Sequence, residues 1–345
     1  MSVLLAEIIR SEARTLGFSQ VRLCDAAPAP GIEAYDAMLA EGRHGAMDWM
    51  QRGRLARAEP QRLLPGVRSA VVLGVDHAWP RPPDPGGLTG KVASYAWGRD
   101  YHNLVGKRLR RLVKRLLERV PGLGLYGGVD SRPLHERAWA ERAGLGFIGR
   151  NCCVIVPGLG SYRFLAVLLV DRPLPPDPAL PPAARHCGSC RRCLDLCPTH
   201  AFVGPHQLDA RRCISYLSIE LRQAIPEALR PGMGRWVFGC DLCQEVCPHN
   251  HAPPTSLEQD LAPLPGRAWL DLPWVLGTPD AVLESALQGS PLRRPGARGL
   301  KRNAAVVLGN LGDPAARPAL EAAWRQGDPL VAEHAAWALD RLASA

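Results

Sequence analysis

No stretch of this 345-residue chain is apolar for long enough to cross a bilayer: the longest run covers residues 164–170, against the about 20 residues a membrane helix requires. The opening MSVLLAEIIRSEAR has no small-residue cleavage site, and Glu7 and Arg10 interrupt its apolar character, so it does not read as a secretory signal. A reducing, cytoplasmic setting without membrane attachment is the expectation, and disulfides are then a poor use for the 11 cysteines. The chain has no G-x-x-x-x-G-K-[ST] phosphate loop, and its glycine-rich residues 144–149 follow a helical pattern, the wrong order for a dinucleotide fingerprint. Long biased tracts are missing too, since the 34 glycines and 33 prolines fall in short clusters such as 80–87 and 173–182 that read as surface connections. Acidic side chains number 33 against 42 basic ones, net +9, which admits a polyanionic partner. A hydrophobic content of 46% is enough to fill two or three cores.

The cysteines carry the strongest signal. Cys187, Cys190, Cys193 and Cys197 follow C-x-x-C-x-x-C-x-x-x-C and are closed by Pro198, the run used by bacterial two-cluster ferredoxins. Cys240, Cys243 and Cys247, closed by Pro248, form a shortened copy with Val237 where a fourth cysteine would stand. Cys213, between the two, is the nearest cysteine that can complete eight thiolates, the number two 4Fe-4S centres need. The fourth cysteine of such a run binds the opposite centre. One centre is therefore expected on Cys187, Cys190, Cys193 and Cys247, the other on Cys197, Cys213, Cys240 and Cys243. Zinc is the rival metal, yet a tetrahedral site uses two C-x-x-C pairs and leaves the third cysteine of each run unexplained.

An amphipathic helix is predicted over residues 2–16 and strands over 21–24, 70–75, 92–96, 154–156 and 164–170. The clearest helix covers 103–120, with Leu104, Val105, Leu109, Leu112, Val113, Leu116 and Leu117 opposite Lys107, Arg108, Arg110, Arg111, Lys114 and Arg115. That basic face reads as a solvated surface, with nucleic-acid contact as the alternative. Strands alternating with helices predict a mixed α/β domain over residues 1–180, followed by a ferredoxin-like module over 181–255. Residues 256–345 are helical. In them NAAVVLGNLGDP from Asn303 is echoed by HAAWALDRLAS from His334, a spacing that resembles helical-hairpin repeats of the HEAT type. Before the echo, Arg293, Arg294, Arg298, Lys301 and Arg302 form a basic segment that is either a phosphate-contacting lip or a solvated turn.

In GGVDSRPLHERAWAERAGLGFIGRN, residues 127–151, an apolar run ends at Asp130 just before a helix start signalled by Ser131 and Pro133. An aspartate there is either a helix cap or an acid placed at a strand-to-helix junction.

The segments AWGRDYH (96–102), VDSRPLHERAWAERAGLGFIGRN (129–151), GSYRFLAVLL (160–169), CGSCRRCLDLCPTHA (187–201), RCISYLSIE (212–220) and GCDLCQEVCPHN (239–250) together resemble the epoxyqueuosine reductase family. Those enzymes complete the modified base queuosine in the anticodon loop of certain transfer RNAs. Phe147 and Arg150 stand where many relatives show Trp and Lys, a change expected to matter little. The resemblance implies a nitroreductase-like α/β domain that binds cobalamin against the iron-sulfur module, and a helical tail of HEAT-like repeats that binds RNA. It implies a corrinoid held by Arg57, Ala93, Asp130, His135, Arg137, Asn151, Val154, Leu165, Ser215 and Tyr216. No protein histidine is expected on cobalt: Asp100, His102 and Gly106 miss the D-x-H-x-x-G pattern by one residue and are read as a coincidence.

By the same resemblance, opening the epoxide to an alkene consumes two electrons and two protons and releases water. Asp130 is the expected proton donor, with a pKa raised by burial. An external low-potential donor would supply the electrons, and the enzyme is expected to be a monomer. The basic residues Arg293, Arg294, Arg298, Lys301 and Arg302 are the expected transfer RNA clamp. Two competing classes are a reductive dehalogenase-like cobalamin enzyme acting on a small substrate, which has no use for a basic tail, and a ferredoxin-type electron carrier, which binds neither corrinoid nor RNA.

Overall fold

The apolar runs of the first half become the strands of one sheet. A computed structural model describes residues 2–26, 31–182, 187–325 and 328–344. Its strands are β1 Gln20–Asp25, β2 Ser69–Asp76, β3 Thr89–Val92, β4 Leu125–Gly128, β5 Phe147–Ile148, β6 Val154–Ile155 and β7 Arg163–Val170. Four of them form a sheet in the order β1-β2-β7-β4, antiparallel throughout. Alternation along β7 explains the two layers. Phe164, Ala166, Leu168 and Val170 pack beneath helices α1 Ser2–Thr15 and α5 Tyr101–Arg119, while Val167 and Leu169 pack beneath α6 Glu136–Arg142. Helices α2 Ile32–Ala40, α3 Asp48–Arg52 and α4 Arg54–Ala58 lie between β1 and β2 in the chain. Asp100 caps α5, its side chain accepting the His102 N–H, and the buried stripe Val105, Leu109, Leu112 and Leu116 seats the helix on the sheet. At about 1.5–3 kcal/mol per fully buried large apolar side chain, that stripe outweighs the cost of ordering the helix.

The predicted strand over 92–96 stops at Val92. The Asp241 carboxylate accepts the Ser94 N–H at 2.6 Å and the chain turns into a 3-10 segment, Ser94–Ala96. β3 then pairs in parallel with β10 Trp236–Phe238 and antiparallel with β11 Trp269–Asp271. This small sheet takes one strand from each of the three predicted domains. Val92 and Trp97 share one core with Val237, Phe238, Leu270, Leu300 and Leu308, so this core crosses the boundaries at 180 and 255, while the core beneath α6 lies wholly within the first 180 residues.

The intervening module carries α7 Arg192–Asp195, β8 Phe202–Gly204, β9 Gln207–Leu208, α8 Ile214–Ile219 and α9 Leu242–Glu245. The tail contains α10 Leu272–Gly277, α11 Asp280–Ala286, α12 Gly296–Leu311, α13 Arg317–Arg325 and α14 Pro329–Ala343. The sequence echo marks equivalent tasks: Asn303 of α12 donates to the Ser218 and Val237 carbonyls, and His334 of α14 accepts the Ile225 N–H at 3.1 Å. Both side chains are fully buried and tie the tail to the cysteine module. No helix among the described residues is long and apolar enough to cross a membrane.

Arg302 is not part of a surface lip. It is 0% exposed and its guanidinium donates to the carbonyls of Leu217, Leu221 and Gln223 and to Asn303. Burial, with Arg222 and Arg298 nearby, pushes its pKa down to about 10, so it remains a cation at neutral pH. Arg302→Ala strands these carbonyls in the interior and is expected to cost about 3 kcal/mol. A thermal midpoint lower by roughly 5 °C would register it; an unchanged midpoint would show that the carbonyls find other donors.

Candidate active site

The cysteine runs fold as short turns of helix, α7 and α9, which pack against each other and are ended by Pro198 and Pro248. Cys187, Cys190, Cys193 and Cys247 line one cavity of about 360 Å³. Cys197, Cys213 and Cys240 lie within electrostatic reach of one another, as do Cys240, Cys213 and Cys243. These neighbourhoods are compatible with the two sets expected from the spacing; all eight thiols are free, and among the described residues none stand as a closed metal-holding group. Backbone N–H groups already face two sulfurs, from Arg150 to Cys187 Sγ at 3.5 Å and from Ala201 to Cys197 Sγ at 3.3 Å. Arg150 matters more than expected. Its two guanidinium arms reach the carbonyls of Cys190 and Gly188, each at 2.8 Å, a fork that a lysine cannot make. Cys213 caps α8, whose last turn Arg302 grips through the Leu217 carbonyl.

Asp130 lies in the loop between β4 and α6 and caps nothing, because α6 begins after His135. Its backbone is left-handed, φ 50°, a conformation aspartate and asparagine tolerate best among residues with side chains. The loop carries the carboxylate to the N-terminus of α5. There Oδ2 accepts from Tyr101 Oη at 2.5 Å and lies 2.9 Å from His102 Nε2. His102 Nδ1 lies 2.8 Å from Asp100, so both ring nitrogens are engaged by carboxylates. The Tyr101 ring stacks on Phe164 and His102, which fixes the cluster on β7.

The electrostatics run opposite to the expected raised pKa. Desolvation by neighbouring protein pushes the Asp130 carboxyl up, held in check because its side chain is 56% exposed, and hydrogen bonds from His102 and Tyr101 with the charges of His102 and Arg294 outweigh that and hold the group below the usual carboxylate range. His102 is the complement: burial opposes its charge, yet the bonds to Asp100 and Asp130 raise its pKa to about 9. At neutral pH the pair is a carboxylate beside an imidazolium, and the proton is held at His102.

A second group of polar side chains gathers around Tyr35 and Tyr216. Arg57 is buried with its guanidinium over the rings of Tyr35 and Trp49. His135 lies beside Tyr35, with ring centroids 4.5 Å apart, and Tyr216 Oη accepts the Ala46 N–H. Arg57 Nη1, His44 Nδ1 and Glu136 Oε1 are buried without a hydrogen-bond partner among the described residues, and burial raises Glu136 to about 7. Unpaired buried polar atoms on several elements fit a polar ligand that bonds to them. Asn151 donates to the Cys243 carbonyl and Arg137 to that of Cys152, while Val154 packs in the core beside Leu165. Ser215, half-buried, sits next to Tyr216 on α8. Ala93 is 1% exposed, shut in the core with Tyr216 and Ile214, so its side chain lines no open surface.

Residues 57–131 match the family described as epoxyqueuosine reductase QueG, DUF1730, and residues 186–250 match a 4Fe-4S double cluster binding domain. The epoxyqueuosine reductase of Pseudomonas aeruginosa is 43% identical over 98% of this chain and 94% of its own length. The chain belongs to the epoxyqueuosine reductase family. Two crystal structures of family members show the same fold. One, an epoxyqueuosine reductase with an epoxyqueuosine-modified tRNA-Tyr stem loop, has a TM-score of 0.88 at 29% identity, covering 98% of this chain and 90% of that one. The other, from Bacillus subtilis with its catalytic aspartate loop swung out of the active site, has a TM-score of 0.87 at 28% identity, covering 98% of this chain and 90% of that one.

Two 4Fe-4S clusters are thus part of this family member, and its eight grouped thiols suit them. The basic segment suits its expected role less well. Arg293, Arg294 and Arg298 are exposed, but Arg294 makes a two-armed pair with Glu220, Arg298 pairs with Asp328, and Lys301, 11% exposed, pairs with Asp280. With Arg302 buried, only Arg293 lacks an acidic partner among the described residues. Tyr101 and His102 were missed as functional residues. AWGRDYH held the signal, but their partner lies 28 residues beyond His102.

Proposed function

We propose that this chain reduces epoxyqueuosine to queuosine in a transfer RNA anticodon loop. The observation that carries the reading is the hydrogen-bonded cluster of Asp130, His102 and Tyr101, set in the fold of the epoxyqueuosine reductases. Cobalamin, when bound, supplies cobalt chemistry at the epoxide, fed with single electrons by the clusters. Arg57, His135, Arg137, Asn151, Val154, Leu165, Ser215 and Tyr216 would hold it, and the unpaired atoms of Arg57, His44 and Glu136 fit its polar periphery.

The protein's own contribution is the proton. Tyr101 and His102 both engage Oδ2 of Asp130, which leaves Oδ1 to face the departing oxygen. The proton rests on His102 Nε2, passes to Asp130, and is delivered as the first carbon-oxygen bond breaks, so that the opened oxygen becomes a hydroxyl rather than an alkoxide; a second proton, drawn from solvent through the same pair, lets it leave as water. Asp100 keeps the imidazole oriented. In the Bacillus subtilis relative the aspartate loop is catalytic and can swing, which agrees with the left-handed turn at Asp130. The chain acts as a monomer with an external low-potential donor, and α12 to α14 form a short HEAT-like stack.

The test is anaerobic: protein reconstituted with iron, sulfide and cobalamin is given a chemical reductant and an epoxyqueuosine-bearing stem loop. Digestion should yield a nucleoside lighter by one oxygen. Retention of the epoxide by protein with both clusters and corrinoid in place would refute the reading.

A further inference from the structure

An exposed basic stripe lies on α5, the helix that begins at the acid site. Lys107, Arg110 and Arg111 are exposed at helical spacing, opposite the buried Val105, Leu109, Leu112 and Leu116. Their basic neighbours on α5 are paired: Arg108 with Glu258, Arg115 and Arg119 sharing Glu12, and Lys114 with Glu118 at 3.9 Å. Lys107, Arg110 and Arg111 have no acidic partner among the described residues. Three cations without partners, with their counterions left in solvent, are what a phosphate backbone displaces most favourably. Geometry supplies the second argument. His102 and Tyr101, which bind Asp130, occupy the first turn of this helix, so the stripe leads away from the site and reaches Arg111 about 14 Å along the axis.

We propose that Lys107, Arg110 and Arg111 form the track for the RNA stem whose loop enters the site, in place of the tail segment 293–302. The proposal rests on the RNA-directed reading above. Backbone contacts of this kind position the duplex without reading its sequence, while the base to be reduced is splayed from the single-stranded loop into the site.

The experiment is fluorescence anisotropy of a labelled anticodon stem loop against the reconstituted full chain over a salt series. The chains compared are wild type, K107E/R110E/R111E and R293E/R298E. Iron content and thermal midpoint are measured for each, and these exposed positions should leave both unchanged. The α5 variant is expected to bind at least about tenfold more weakly, with a log-log salt slope shallower by about 2 to 3. R293E/R298E should shift binding much less. Strong loss in R293E/R298E with none in the α5 variant would overturn the proposal and leave the functional reading standing. A wild-type chain that binds no stem loop would instead remove that reading. Anionic phospholipid vesicles that retain wild type but not the α5 variant, with RNA binding equal in both, would assign the stripe to a membrane surface and also overturn it.

Discussion

Asp130→Asn is expected to lower turnover by about 10²- to 10⁴-fold, the usual range for a positioned acid, while iron content and stem-loop affinity stay at wild-type values. The substitution is clean because asparagine accepts the left-handed backbone that Asp130 adopts, and its amide oxygen can still receive Tyr101 and His102. What it removes is the ability to take a proton from His102 and pass it on. A near-normal rate would sink the role. The pH profile is a second readout. The folded pKa of His102, about 9, lies above its ordinary value near 6.5, so its bonds to Asp100 and Asp130 stabilise the protein fully below the ordinary value. That contribution disappears as pH rises through about 9. Turnover should fall over the same interval as the stored proton is lost. His102→Gln, unable to titrate, should be slow at all pH values and lack that alkaline limb. The groups facing His102 are Asp100, Asp130 and the Tyr101 ring, and Arg294 acts on Asp130 from the tail.

Cys213→Ala is expected to abolish activity and to reduce iron from about eight to about four atoms per chain after reconstitution, because one four-iron centre loses a ligand. Cys213 is the ligand with no motif around it, so its assignment is the most exposed to test. Cys153→Ala is the control, since that half-buried thiol is hydrogen-bonded to Cys243 yet belongs to neither expected set of four. Full iron in the Cys213 variant with loss in the Cys153 variant would transfer the eighth position to Cys153.

The presence of a two-cluster module was legible because the spacing of each cysteine run is a local signal, whereas Cys213 has no motif around it. Strands β1, β2 and β7 of the main sheet were legible for a similar reason, since β2 and β7 are buried on both faces and read as continuous apolar runs, while the short, glycine-containing β4 was not predicted. The small sheet was not, because β3 meets β10 and β11 only through pairings far along the chain. Asp130 could be singled out as a residue, but its ionisation could not. Its lowered pKa depends on Tyr101 and His102, brought to it by the packing of α5 on the sheet. The basic tail shows the converse error. Five charges in a row looked like a lip, whereas Glu220, Asp328, Asp280 and burial cancel most of them, and a linear count of charge contains none of that information.

The composite sheet also orders events during synthesis. β3 leaves the ribosome early and must wait for β11, on the order of ten seconds or more at ordinary elongation rates. All eight ligand cysteines emerge within that interval, while Val92 and Trp97 still lack the partners that will cover them. Docking of the last helices then completes the core that holds Cys213 and Cys240, to which Val306 and Trp337 contribute. A chain cut after residue 262, lacking β11 and the helices beyond it, should stay insoluble even when iron and sulfide are abundant.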